Sequence, residues 1–574
     1  MCSSGTGRRP AAAVALVLAA CVGRGTSVRQ SDVVTISVVA TTDLHGHLES
    51  LPWLAGHVAN LRARRSADGG GLLLVDSGDM FQGTLESNLG EGAAVVRAYN
   101  ALGYAAAAIG NHEYDFGPAG PAHIPERPEH DPRGALKQRA AEAHFPLLAA
   151  NVREAGKTTS LAWPHVQPWT LVQVRAGAGV VPVAIIGVAT IDTPRSTHPR
   201  NFVGLEVLPL VPAIAAAARQ ARQAGAVAVI VAAHAGGRCR RHDAPDDLRS
   251  CDGDEEIFAV ARALPPGLVD AIAAGHTHEG VAHRVAGVPI VQAFSAGRAF
   301  GRIDLSVDRA RGRVVGSRIF APRSLCGDGE RGAPSFAPQA CRPAPYENGP
   351  VRFDAGIAAV IAPDVARARG KREQPLGIAL GGPVRRALAT ESPLGNLIAD
   401  LLRAAEPRAD VAFINGGSLR SDLPAGPLLY GQLYQALPFD DGLATVALDA
   451  GKLGQILARN LAGSTGILSL SGVRAAAACD DGALTVKLFG QDGRELAPDQ
   501  PLLAVTNGYL ASGGDGLLQG LASGGEPGVV PMREILAAIL SARGGELRSE
   551  DPALFDPRHP RFAYPGARPV RCRR

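Results

Sequence analysis

The chain predicts a layered α/β protein built from two domains. Three observations carry this. Apolar, strand-like runs alternate with alanine-rich helical stretches over roughly the first 300 residues. Composition then shifts to Pro, Gly and Asp between residues 322 and 350. New apolar runs and new polar clusters resume from residue 372. A length of 574 residues suits roughly two to four domains.

In order, residues 33–40 (VVTISVVA) and 71–76 (GLLLVD) read as buried strands. Residues 94–102 read as a helix, and 105–109 as a short strand. Runs at 181–189, 226–232 and 268–273 repeat the pattern, with an alanine-rich helix at 211–224 between the first two. Residues 351–369 read as a connecting helix whose pattern Pro363 interrupts. In the second half, 411–414, 444–448 and 502–506 are the apolar runs. The expected limits are a signal segment at 1–21, a first domain at 33–322, a loop and linker at 323–371, and a second domain at 372–574.

Hydrophobic residues make up 46% and charged residues 20%, which are globular values. The net charge of +4 is spread along the chain, with no basic stripe interleaved with aromatics. Binding of a nucleic-acid polymer is therefore not expected. Residues 1–21 combine Arg8 and Arg9 with an apolar run too short to span a bilayer. The run ends in Leu18-Ala19-Ala20-Cys21, which resembles a bacterial lipobox. Export to the cell envelope or periplasm follows, with a lipid anchor at Cys21. An ordinary secretory signal cleaved near Ala20 is the alternative. Export permits disulfides. Close spacing suggests Cys239–Cys251 and Cys326–Cys341, leaving Cys479–Cys572 by elimination.

Five polar clusters stand in fixed order, most of them at the ends of apolar runs. They are TTDLHGH (41–47), DSGDM (76–80), GNHEYD (110–115), VAAHAGG (231–237) and AGHTH (274–278). Asp43 and His45 are one residue apart, so an extended segment turns both to one side. Asp79 and Asn111 each follow a glycine, and His234, His276 and His278 come from two later strand ends. Four ligands saturate a tetrahedral ion. Seven imply two divalent ions sharing a carboxylate, with Zn or Mn suited to this mixture of donors.

These motifs, D-x-H, G-D, G-N-H-E, H and G-H-x-H, resemble the calcineurin-like metallophosphoesterase superfamily. The whole set resembles the 5′-nucleotidase family, which adds a C-terminal substrate domain. The resemblance implies a four-layer αββα first domain and an α/β substrate-binding second domain. It implies that Asp43, His45, Asp79 and His278 hold one metal, and that Asp79, Asn111, His234 and His276 hold the other. His112 and Asp115 would form a catalytic dyad, and the nucleophile would be a metal-activated hydroxide. It also implies rotation of the second domain about a hinge near residues 345–371.

Four further segments match the family's second domain: ESPLGN (391–396), FINGGSLR (413–420), ALPFDD (436–441) and NGYLASGGDG (507–516). By the resemblance, Phe439 and Tyr509 would sandwich a nucleobase, Asp515 would accept from ribose hydroxyls, and Asn415 and Arg420 would meet the phosphate. Two departures stand out. Leu388 occupies a position where many relatives carry arginine, with Arg385 and Arg386 just upstream. Asp441 replaces a frequent asparagine. The expected activity is release of phosphate from nucleotides for scavenging. A cyclic-nucleotide phosphodiesterase or a UDP-sugar hydrolase is the alternative on the same fold, with a thiosulfohydrolase-like enzyme behind them. The non-enzyme alternative is a binding lipoprotein that has lost catalysis. Oligomeric state is not legible.

Overall fold

The computed structural model describes residues 33–327 and 340–572. The signal segment and Cys21 lie outside the described residues. The first domain is two facing sheets with helices on both outer sides. One sheet has seven strands, in the order Arg313–Ser324, Ala299–Asp308, Val33–Thr41, Gly71–Asp76, Ala106–Ala108, Leu147–Leu148, Val166–Gln167. The other has six, in the order Gly280–Val285, Val288–Ala293, Ala271–Ala274, Ala228–His234, Gly179–Ala189, Trp169–Ala176. The central strands of each sheet are parallel.

Side-chain alternation makes the layers. Val34, Ile36 and Val38 meet Val183, Ile185 and Ile230 in the core between the sheets. Their neighbours Val39 and Leu74 pack outward against the helices Leu51–Asp68 and Ala93–Leu102. Ile186, Val229 and Val231 pack outward against Leu210–Gln223 and Glu256–Ala263. This is the four-layer αββα arrangement. Alanines at 106, 108, 228, 232, 271 and 273 fill the inter-sheet layer, so the two sheets can pack closely.

The stretch expected to be loop and linker contains the helix Ala355–Arg372, which continues through Pro363. The proline removes one N–H donor and crowds the carbonyl of Ala359, and packing of the helix offsets that cost. Ile357, Ile361, Asp364 and Ala368 form one buried stripe, and Asp364 takes Arg97 at 2.5 Å. Residues 355–371 of the expected hinge segment belong to this helix. The chain crosses at Glu373 and Gln374 into the strand Pro375–Leu380.

In the second domain, a five-stranded sheet carries the helices Pro393–Ala405 and Ala450–Ala462 on its two faces. Two three-stranded sheets flank it. Three disulfides join Cys239–Cys251 and Cys326–Cys341, as spacing suggested, and Cys479–Cys572, as elimination left it. The last closes a sequence separation of 93 residues, against 12 for the first. Loop-closure entropy grows with the logarithm of loop length, so removing Cys479–Cys572 should cost about 2 kcal/mol more than removing Cys239–Cys251. Urea midpoints of Cys479→Ser and Cys239→Ser under non-reducing conditions check this. Equal midpoints would mean that the unfolded chain is not what the long link restrains. Among the described residues, no helix is long and apolar enough to cross a membrane.

Candidate metal centre and substrate cleft

All seven candidate ligands leave the C-terminal ends of parallel strands. Asp43 and His45 follow Val33–Thr41, Asp79 follows Gly71–Asp76, and Asn111 follows Ala106–Ala108. His234 ends Ala228–His234, while His276 and His278 follow Ala271–Ala274. Loops from strand ends of both sheets thus converge on one edge of the sandwich.

The convergence bends the backbone. Asp43, His45, Asp79, His276 and His278 all have positive φ, between 49° and 79°. The extended reading of Asp43 and His45 is therefore corrected: the strand stops at Thr41, and both residues take left-handed backbone that turns their side chains inward. Such a residue costs about 1–3 kcal/mol and persists where the surroundings over-determine it. Glycines make room. A Cβ on Gly110 would lie 2.2 Å from the Asp79 carboxylate, and one on Gly78 would lie 2.8 Å from His234 Nδ1.

The carboxylates and imidazoles form two groups that share Asp79. Asp43, His45, Asp79 and His278 make one, and Asp79, His234 and His276 the other; within each, ligand atoms lie within 4.8 Å of one another. Asn111 Oδ1 joins the second, 3.0 Å from His234 Nε2. The donor set calls for cations. His234 Nδ1–H donates to the Ser77 carbonyl at 2.8 Å, so in the neutral ring Nε2 holds a lone pair. That lone pair faces Asp79 Oδ2 at 3.1 Å and Asn111 Oδ1 at 3.0 Å. His45 is set alike: Nδ1–H donates to the Gln82 carbonyl at 2.7 Å, and Nε2 points at His278 Nε2, 3.0 Å away. Acceptors aimed at one another are repulsive unless a proton or a metal ion lies among them, and the Nδ1–H tautomers leave Nε2 free to bind a metal.

Glu113 carries a supporting role that the sequence reading did not assign, although it lies inside the GNHEYD cluster. Its buried carboxylate accepts from the amides of Asp79 (2.8 Å), Met80 (2.6 Å), Phe81 (3.3 Å) and Gly110 (2.7 Å). It pins two ligand-bearing loops together. The signal was available as a third charged residue among ligands.

His112 Nδ1 lies 2.5 Å from Asp115 Oδ2, and its Nε2 lies 4.0 Å from Asp79 Oδ2. Burial opposes an imidazolium here, but the Asp115 and Asp79 charges outweigh it and raise His112 above the usual histidine range.

The second domain completes the site. An interdomain cleft of about 800 Å³ is lined by the metal-centre residues His45, Asp79, Asn111, His276 and His278 and by Arg420, Phe439, Asn415, Tyr509 and Asp515. Arg420 Nη2 lies 3.2 Å from His45 Nε2. The Phe439 and His112 rings are 5.5 Å apart. Asp515 accepts from Asn415 Nδ2 at 3.0 Å, and its Oδ1 lies 2.8 Å from the Tyr509 hydroxyl oxygen, which accepts from the Asp515 amide at 3.1 Å. Burial pushes the Asp515 carboxyl up to about 6. Of the two departures, Leu388 is 46% exposed and lines the cleft, as does Arg386. Asp441 is buried, takes the Tyr509 amide at 2.8 Å, and is pushed by burial up to about 7.

Residues 36–280 match the calcineurin-like phosphoesterase family model, and residues 370–522 match the 5′-nucleotidase C-terminal domain model. The chain belongs to the 5′-nucleotidase family. Protein UshA of Yersinia enterocolitica is 26% identical over 541 residues, covering 88% of this chain and 90% of the relative. The 5′-nucleotidase of Vibrio cholerae is 23% identical, covering 80% of each. The fold matches the 5′-nucleotidase precursor of Thermus thermophilus, with a TM-score of 0.70, 22% identity, and 92% and 99% of the two chains covered. It also matches the sulfate thiohydrolase SoxB of Thermus thermophilus, with a TM-score of 0.68, 18% identity, and 94% and 98% covered. One fold thus carries different chemistries, and the site must decide between them. The chain is a metal-dependent phosphoester hydrolase of this family, with a candidate site for the dimetal centre that calcineurin-like phosphoesterases use.

Proposed function

We propose that this protein is an exported 5′-nucleotidase that releases phosphate from nucleotides for scavenging. The observation that carries the reading is the shared cleft: Arg420 and the Phe439 ring of the second domain stand against His45 and His112 of the metal centre. The cleft volume suits a nucleotide, since small-ligand sites measure roughly 300–1,000 Å³. Three disulfides support an oxidising compartment. Anchoring at Cys21 is part of the same proposal.

Asp43, His45, Asp79 and His278 would hold one divalent ion, and Asp79, Asn111, His234 and His276 the other, Zn or Mn being suited to this set. Bound there, the ions supply Lewis-acid charge at phosphoryl oxygens and a nucleophile from water at neutral pH. The remaining work falls to the chain. Arg420 donates its guanidinium hydrogens to phosphoryl oxygens. His112 Nε2–H faces the leaving oxygen and gives up its proton as the bond to phosphorus breaks. Asp115 keeps the Nδ1–H in place and stabilises the imidazolium. Phe439 and Tyr509 offer ring faces to the base, and Asp515, with Asn415 beside it, offers acceptors to ribose hydroxyls.

Hydrolysis of AMP, UMP, 2′,3′-cyclic AMP, UDP-glucose and bis(p-nitrophenyl) phosphate, with Zn or Mn, followed by chromatography of the products, tests this. The expected result is preferential turnover of the two monophosphates. Preference for the cyclic ester or the sugar nucleotide would reassign the substrate. No turnover of any ester would leave a binding lipoprotein and direct attention to Leu388 and Asp441.

A further inference from the structure

Between the strand Gly179–Ala189 and the strand Leu205–Val207 the chain makes two short helical turns, Thr193–Ser196 and Pro199–Phe202. No sequence motif marked this segment. Its inner side is bonded to the reacting groups. Thr197, 1% exposed, donates its Oγ1–H to Asp115 Oδ1 at 2.9 Å. Asp115 Oδ2 faces His112 Nδ1, so the hydroxyl fixes the carboxylate that fixes the imidazole. The Ser196 carbonyl accepts Asn111 Nδ2–H at 3.0 Å. That bond settles which end of the amide points away and leaves Asn111 Oδ1 directed at the metal centre. Asn201, fully buried, donates to the Asp115 carbonyl at 3.2 Å. The segment is itself anchored, the Thr190 amide donating to the His234 carbonyl at 2.8 Å.

Its outer side is bonded to the second domain. The Tyr509 hydroxyl donates to the Arg195 carbonyl. Arg200 pairs with Glu526 at 2.6 Å. His198 Nε2 stands 3.8 Å from Asp441 Oδ1, both residues being buried. One short segment thus touches the base-facing tyrosine on one side and the dyad carboxylate on the other.

We propose that Thr197 is a positioning residue for the His112–Asp115 dyad, and that the segment 190–203 carries closure of the second domain to it. The inference rests on the dyad reading above. When Tyr509 seats against Arg195, the turn Thr193–Ser196 is held, and with it the hydroxyl on Asp115 and the carbonyl on Asn111. When the second domain withdraws, the outer bonds break and the inner ones lose their backing.

The test is steady-state kinetics of the metal-loaded full chain on AMP, with metal content measured for each variant. Thr197→Val, isosteric but without the hydroxyl, should lower kcat about 10- to 100-fold, the usual cost of a lost supporting bond, with KM little changed. Thr197→Ser should restore most of the rate. In an Asp115→Ala background, Thr197→Val should add nothing, because its effect runs through that carboxylate. Tyr509→Phe keeps the ring and removes the outer bond; combined with Thr197→Val it should lower kcat by less than the product of the single effects. A Thr197→Val variant with unchanged kcat, beside an Asp115→Ala variant that is impaired, overturns the positioning role and leaves the dyad standing. A wild-type rate in Asp115→Ala overturns both. Independent, multiplying effects of Thr197→Val and Tyr509→Phe overturn the coupling.

Discussion

His112→Ala should lose about 10²–10⁴ in kcat on a nucleoside monophosphate, with both metals retained. The His112 side chain is 11% exposed, and one nitrogen is committed to Asp115 at 2.5 Å. That leaves Nε2 alone to face the cleft. A nucleoside leaving group departs as an alkoxide and needs a proton, whereas p-nitrophenolate leaves without one. The loss should therefore shrink on p-nitrophenyl phosphate if the ring acts as a general acid. An equal loss on both esters would assign His112 to charge stabilisation of the phosphoryl group instead. Undiminished turnover on both would remove it from the chemistry altogether.

Asp79→Asn should be more damaging still. Asp79 is the one residue common to both ligand groups. Its carboxylate also accepts the His112 amide at 2.9 Å. Asparagine tolerates the left-handed backbone, φ 58° at this position, so the loop should keep its course. The charge between the two ion positions is lost. Metal content should fall well below two per chain, and kcat/KM should drop by more than the roughly 100-fold that a lost supporting residue costs. Thermal stability gives a second readout. Metal at 100 times its Kd stabilises a folded chain by about 2.7 kcal/mol, and that metal-dependent rise in Tm should vanish in the variant. Two metals bound with wild-type affinity in Asp79→Asn would sink the bridging assignment.

Much of the site was legible before any fold was known, because metal chemistry restricts residue type. Aspartate, histidine and asparagine are ordinary in exposed loops, but clustered at the ends of buried strands they are costly unless something binds them. What spacing misread was the local backbone. Asp43-Leu44-His45 looks like alternation in a strand, yet both ligands sit in left-handed conformations that only tertiary crowding maintains. Glu113 was visible but had no role, since four amide donors from two distant loops become a reason only when those loops meet. Thr197 and Ser196 carried no signal. A hydroxyl and a carbonyl are present in every protein, and their meaning is entirely one of placement.

By itself the sequence determined the layered alternation of strand and helix, the set of candidate ligands and the two closely spaced cysteine pairs. These depend on local periodicity, residue chemistry and loop length, which are written one residue at a time. Only the tertiary structure decided that Asp79 serves both ligand groups, that Pro363 continues a helix, and that Arg420 reaches across to His45 from 375 positions away in the chain. Those outcomes depend on the packing of two sheets and two domains. Packing is a property of surfaces brought together after the chain has folded, and no local pattern encodes it.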